Sequence, residues 1–312
     1  MANLRRWIKN NANRLGIGLF IVSLILNNLV EMPQLWGQIP LGWVVTALLL
    51  IVLNLHIIPQ YWAKVWSKIK YRNLENYTCK NDYILPFAGK WCVFGGGPTK
   101  ELSTDWKELI LRYTYFFAII DNNGKGCMPD DSQLENHYSY GKNILATSDG
   151  VVVKVSNKHV DGLHDKSEEA TAYVGTADIM GNHIVIRHSK NEYSCVGNLM
   201  QHSATVKVGD QIKQGDVIAK CGNSGYLVER PCIQFQLQSS KSFNLSTSLP
   251  IAFSNINAAD SSGYHLVYKS EGVKTPPTNG NLKVVGNKTY IGQGLDVENS
   301  DRQSEKAHGP RK

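Results

Sequence analysis

Residues 32–63 contain no Asp, Glu, Lys or Arg, and within them residues 41–55 (LGWVVTALLLIVLNL) are almost continuously apolar. A run of this kind suits a lipid core, where a helix of about 20 apolar residues crosses about 30 Å of hydrocarbon. An earlier uncharged stretch, residues 15–30 (LGIGLFIVSLILNNLV), is shorter and carries Asn27 and Asn28. At about 1.5 Å per residue it reaches only about 24 Å, so it spans a bilayer only by including its flanks. Trp7, Trp36, Trp43, Trp62 and Trp66, five of the seven tryptophans, stand at the ends of these two stretches, where an aromatic belt lies. Two buried helices of a soluble protein would explain neither those tryptophans nor the basic flanks. A cleaved signal peptide would need a small-x-small site, and none precedes the second apolar run. The expectation is a transmembrane helical hairpin over residues 1–72, with spans at about 15–36 and 39–61.

Charge sharpens this division. The chain of 312 residues has 33 Lys and Arg against 26 Asp and Glu, a formal charge of +7. All of that excess lies in residues 1–72, which hold eight basic residues and the single acid Glu31. The other 240 residues are neutral overall, which excludes a basic nucleic-acid-binding domain. Arg5, Arg6, Lys9 and Arg14 precede the first span, Lys64, Lys68, Lys70 and Arg72 follow the second, and residues 32–40 between them have no cation. The positive-inside rule then puts both termini, and the long C-terminal part, in the cytoplasm.

After Arg72 the period changes. Runs such as residues 151–155 (VVVKV) and 183–188 (HIVIRH) follow the turns Asp149-Gly150 and Gly181-Asn182. Val206 and Val208 precede Gly209-Asp210, Val217 and Ile218 follow Gly215-Asp216, and Ile233, Phe235 and Leu237 alternate with Cys232, Gln234 and Gln236. Short alternating runs between turn residues predict a mainly β, antiparallel domain over residues 73–296. Only residues 106–111 (WKELIL) read as a helical turn. Residues 158–177 read as a polar surface loop, and residues 297–312, with no apolar run, as a disordered tail. His183 and His188, five apart on one strand, are expected on opposite sides as exposed strand-end residues. His159, His164 and Asp165 are expected to be solvated. The six cysteines form no C-x-x-C pair and read as buried thiols of a reducing compartment; an oxidising one would favour disulfides.

The ordered blocks HYSYGKNILATSDGVVVKV, GNHIVIRHSKNEYSCVGNL, ATVKVGDQIKQGDVIAKCGNSG, ERPCIQFQL and SLPIAF over about residues 80–256 resemble the LytM/lysostaphin-type zinc endopeptidases that cut peptidoglycan cross-links. The resemblance implies an antiparallel β domain of the duplicated-hybrid type with a groove over one sheet. It also implies a zinc held by two His and one Asp, with two further His acting on water and oxyanion. The family's P-H-L-H-F strand reads Pro231-Cys232-Ile233-Gln234-Phe235 here, so Cys232 stands at a catalytic His and Gln234 at a ligand His. The A-H-L block reads Gly197-Asn198-Leu199, placing Asn198 at the other catalytic His. The Q-R-Y-A-x-D-F block reads LRYTYFF, which puts Phe116 at the ligand Asp, and the upstream ligand His falls at Asp105-Trp106.

Phe116 has no lone pair, Gln234 offers only a neutral amide oxygen, and Asn198 exchanges no proton near pH 7. The positions Asn198 and Cys232 (catalytic) and Asp105, Phe116 and Gln234 (metal) are therefore read as vestigial, with no zinc expected. The reading that follows is a membrane-anchored, inactive peptidase-like domain acting as a binding or adaptor module. Its partners would be the bilayer and a protein, or a peptidoglycan peptide in the vestigial groove, and no nucleic acid. The resemblance implies an extracytoplasmic domain, against the charge rule. The alternative is an active peptidoglycan endopeptidase or other hydrolase with a rebuilt site, such as Cys232 with Asp105 and His202 or His188.

Overall fold

A computed structural model describes residues 77–162, 179–225, 230–270 and 287–300, with residues 283–285 and scattered positions from 34 to 74. The chain divides into two units, residues 1–66 and 67–312. In the first, β1 (Gln34–Leu35) and β2 (Ile39–Pro40) pair antiparallel, Gln34 opposite Pro40 and Leu35 opposite Ile39, turning the chain back between the two apolar stretches. Val44, Ala47, Leu48, Trp62, Val65 and Trp66 are helical, and Leu48, Trp62 and Trp66 are exposed. The two expected spans lie mostly outside the described residues. No described helix is long and apolar enough to cross a membrane.

The second unit is built on one antiparallel sheet. Its path is β14 (Ile256–Asp260), β17 (Leu295–Asn299), β3 (Trp91–Gly95), β4 (Tyr115–Ala118), β11 (Ile233–Gln238), β8 (Glu192–Leu199), β7 (Asn182–Ser189), β6 (Gly150–Ser156) and β9 (Gln211–Ile212). β12 (Ser248–Leu249) pairs with β11, while β5 (Asn143–Leu145) and β10 (Val217–Lys220) form a separate ribbon. β13 (Phe253–Ser254), β16 (Lys288–Tyr290) and β15 (Lys283–Val285) make a small third sheet. The main core lies against one face of the large sheet. Ile233, Phe235 and Leu237 of β11 meet Val196, Ile184 and Ile186 there, as period-2 alternation requires. Phe87 stacks on Trp91 (4.8 Å) and meets Phe117 edge-on (5.0 Å), and these rings are essentially fully buried.

Four expectations need correction. Residues 106–111 form hydrogen-bonded turns (Leu111 N–H and Arg112 N–H to Glu108 O, both 2.9 Å) and no helix. A helix forms instead at α1, Ser262–Ser270, where Gly263 packs against Asp121 O too closely for a side chain. The tail does not begin at Val297: β17 runs to Asn299, with Val297 buried. The Asn299 amide pays for its burial by accepting from Leu85 N–H (3.0 Å) and donating to Leu85 O (3.2 Å) and Phe87 O (2.7 Å). Residues 301–312 and 163–178 lie outside the described residues. Val206 and Val208 form no strand, and Val208 is exposed. His183 is buried despite its place at the strand end, because both faces of β7 are covered there: Ile184 and Ile186 meet the main core, and Val185, on the same side as His183, belongs to a second apolar cluster.

Candidate functional site

The vestigial positions gather on the face of the sheet opposite the main core. β11 runs between β4 and β8, and its register sets Gln234 directly across from Phe116 on one side and Gly197 on the other. Two positions expected to have held metal are thus cross-strand neighbours. Cys232, just before β11, and Asn198, near the end of β8, meet beside them. The Asn198 amide donates to Cys232 O (2.7 Å), with Cys232 Sγ at 3.7 Å, and its Oδ1 accepts from Gly225 N–H (2.7 Å). Asn198 has φ +62°, a left-handed conformation that Asn adopts more readily than most residues. Asp105 is half-buried beyond Thr104, whose Oγ1 faces Gly95 next to the Phe116 ring. Trp106 packs edge-on against Tyr113 and carries the Arg112 guanidinium over its ring at 4.7 Å.

The electrostatics of this cluster are those of a core. Burial pushes the Cys232 thiol up to about 12, only partly offset by the Asn198 amide, so the sulfur is held as a neutral thiol. Cys221 nearby is raised too, by burial and by Cys232. The Gln234 side chain is buried, and its Nε2 has no hydrogen-bond partner among the described residues.

As a zinc-binding set these residues do not fit. A catalytic zinc takes about three donors from His, Cys or carboxylate plus an open position. Phe116, Gln234, Asn198 and a protonated, buried Cys232 supply one neutral amide oxygen and a thiol held against Asn198. Among the described residues no group of three His, Cys, Asp or Glu could hold a metal. A rebuilt site through His188 is blocked by its own bonds, Nδ1 to Asp149 O and Nε2 to Ser194 Oγ, both 2.8 Å.

The face that carries them is also covered. All six residues of β11 are buried, including Gln234, Gln236 and Gln238 on the side away from the main core. A second apolar cluster of Met180, Val185, Cys195 and Phe243, with Ile110 and Leu111 against it, lies over that side. Met180 sits on Gly197, where an added Cβ would lie 2.7 Å from Met180 Cε, so it caps the strand opposite Gln234. The amides beneath pair with each other: Thr114 Oγ1 donates to Gln236 Oε1 (2.7 Å), Gln236 Nε2 to Gln238 Oε1 (2.8 Å), and Gln238 Nε2 to Ser240 O (2.7 Å). Sequence reasoning missed this roof. The signal was a strand whose polar face is three uncharged glutamines instead of the Lys and Glu of a solvated face.

Residues 134–245 match the description Peptidase family M23. No curated protein sequence matches the chain. Among solved structures, the catalytic domain of the antimicrobial peptidase lysostaphin from Staphylococcus simulans is 18% identical at a TM-score of 0.30, covering 52% of this chain and 88% of that one. A mutant catalytic domain of the prophage-encoded M23 protein EnpA from Enterococcus faecalis is 17% identical at 0.33, covering 54% and 93%. The SpoIIQ-SpoIIIAH pore forming complex gives 14% and 0.33, covering 55% and 89%. Likenesses this weak carry no functional weight.

Proposed function

We propose that this chain, which belongs to peptidase family M23 through residues 134–245, is a non-catalytic member whose β domain serves as a membrane-anchored binding or adaptor module. One observation carries the reading: Gln234 lies across from the half-buried Phe116, and beside them the buried Asn198 and Cys232 hydrogen-bond to each other and to Gly225 as core residues do. A zinc-bound water needs ligands to place it and a base to take its proton, and this set supplies neither. The covering of that face by Met180, Phe243, Ile110 and Leu111 favours a protein partner on the outer surface over a peptidoglycan peptide in the vestigial groove.

Anchoring is supported by the uncharged residues 32–63, by the β1–β2 turn, and by the exposed Leu48, Trp62 and Trp66. The distribution of Lys and Arg and the six unpaired thiols support a β domain on the cytoplasmic side, against the extracytoplasmic side that the family resemblance implies. The test of the non-catalytic reading is a cleavage assay: the full chain, incubated with cross-linked peptidoglycan peptides and added zinc, leaves them intact. Cleavage that a chelator abolishes would overturn it.

A further inference from the structure

Just after the long uncharged run, helical residues expose their apolar side chains. Trp62, Trp66 and Ile69 are 68%, 65% and 64% exposed, and Val65 is half-buried. A helix turns about 100° per residue, so positions i, i+3, i+4 and i+7 share one side. That spacing puts these four in one arc about 100° wide. Lys64, Lys68 and Arg72 lie outside the described residues; by the same spacing Lys64 and Lys68 fall beyond the Val65 edge of the arc, with Arg72 following. The helical, exposed Lys70 falls beyond the Trp66 edge. Among the described residues Lys70 has no carboxylate partner, and its ammonium lies 5.1 Å over the Tyr71 ring. No Asp or Glu occurs from residue 32 to residue 74.

Single apolar side chains on a surface need no explanation, but three large ones aligned on one helical side mark a surface that something covers. The main core does not take them up: it begins with the partly buried Tyr71 and with Leu74, and Ile69 stays exposed. A second copy set against the same arc would bring together the four cations of each chain, with no acid nearby to offset them. An apolar arc of Trp and Ile with Lys on both flanks fits a lipid surface. Indole rings settle at the headgroup level, and lysine stems run along apolar surface while their ammonium groups stay with phosphate and water.

We propose that residues 62–72 are an interfacial segment that selects anionic lipid. Trp62, Trp66 and Ile69 enter the boundary between headgroups and acyl chains, and Lys64, Lys68, Lys70 and Arg72 hold the phosphates of anionic headgroups. This rests on the membrane anchoring proposed above and adds the class of lipid that the anchor prefers. Near an anionic leaflet each basic residue is worth about fivefold in binding, and the attraction fades within a Debye length, so it weakens as salt rises.

Hydrogen exchange on the full chain in nanodiscs tests this, one set made of phosphatidylcholine alone and the other with a third of it replaced by phosphatidylglycerol. The amides of residues 62–72 should exchange about tenfold more slowly in the anionic set. High salt should remove that difference, and so should the combined variant Lys64→Gln, Lys68→Gln, Lys70→Gln and Arg72→Gln. The amides of residues 15–36 and 39–61 should stay protected in both sets; their free exchange would overturn the anchoring itself. With those spans protected, equal exchange of residues 62–72 in the two sets would overturn the lipid selection alone. Protection of residues 62–72 in lipid-free detergent that matches the anionic set and is lost on dilution would also overturn it, by assigning the arc to a second copy.

Discussion

His183 shows at the residue scale how far the chemistry of this fold has turned inward. It is 4% exposed, its Nδ1 lies 2.7 Å from Gly181 O, and its Nε2 has no partner among the described residues. Burial, with Lys154 nearby, lowers its pKa from 6.5 to about 4. Folded protein therefore keeps the imidazole neutral where the unfolded chain protonates it. Stability should be whole above pH 6.5 and fall by about 3 kcal/mol as pH drops towards 4. Urea midpoints at pH 7 and pH 4.5 check this: His183→Gln should lose much of the pH-dependent drop, and an identical drop in both proteins would contradict it. The identities at Phe116, Asn198, Cys232 and Gln234 were legible in the sequence, because motif positions are read directly. The burial of His183 was not, since the cover over its face of β7 comes from residues distant in sequence, such as Met180 and Phe243 packed with Val185.

At the scale of elements, Asn198 acts as a strut. Its side chain ties Gly225 N–H to Cys232 O, which lies just before β11. Asn198→Ala should cost about 2 kcal/mol or more, because two buried backbone groups lose their partner. Chemical denaturation reads this, and a loss below about 0.5 kcal/mol would show the strut to be incidental. Asn198→His should be destabilising too and restore no activity, since it breaks the same two bonds. Strands β6, β7, β8 and β11 were legible from alternation and turn residues. Helix α1 was not: nine residues beginning Ser-Gly-Tyr carry little helical signal, and packing of Gly263 on Asp121 and of Tyr264 on Phe94 favours them. β17 was missed for a related reason. Only Leu295 and Val297 are apolar, and the third inward position is Asn299, whose amide bonds can be seen only once the fold brings Leu85 and Phe87 alongside.

For the whole molecule, two parts of the chain state different chemistry. Residues 1–72 hold the entire net charge and the long uncharged run, while the rest is a neutral β domain with a second apolar cluster over the side of β11 away from the main core. The lysine and arginine distribution predicts that a reporter fused after Lys312 is active in its cytoplasmic form; an exported reporter would reverse the topology and bring the domain to the side where cell-wall partners lie. The central claim concerns the loss of the metal site, and zinc stoichiometry of the purified full chain measures it most directly. Elemental analysis should find well below one zinc per chain, unchanged in Cys232→Ser. One tightly held zinc per chain, lost in that variant and needed for peptide hydrolysis, would contradict the account.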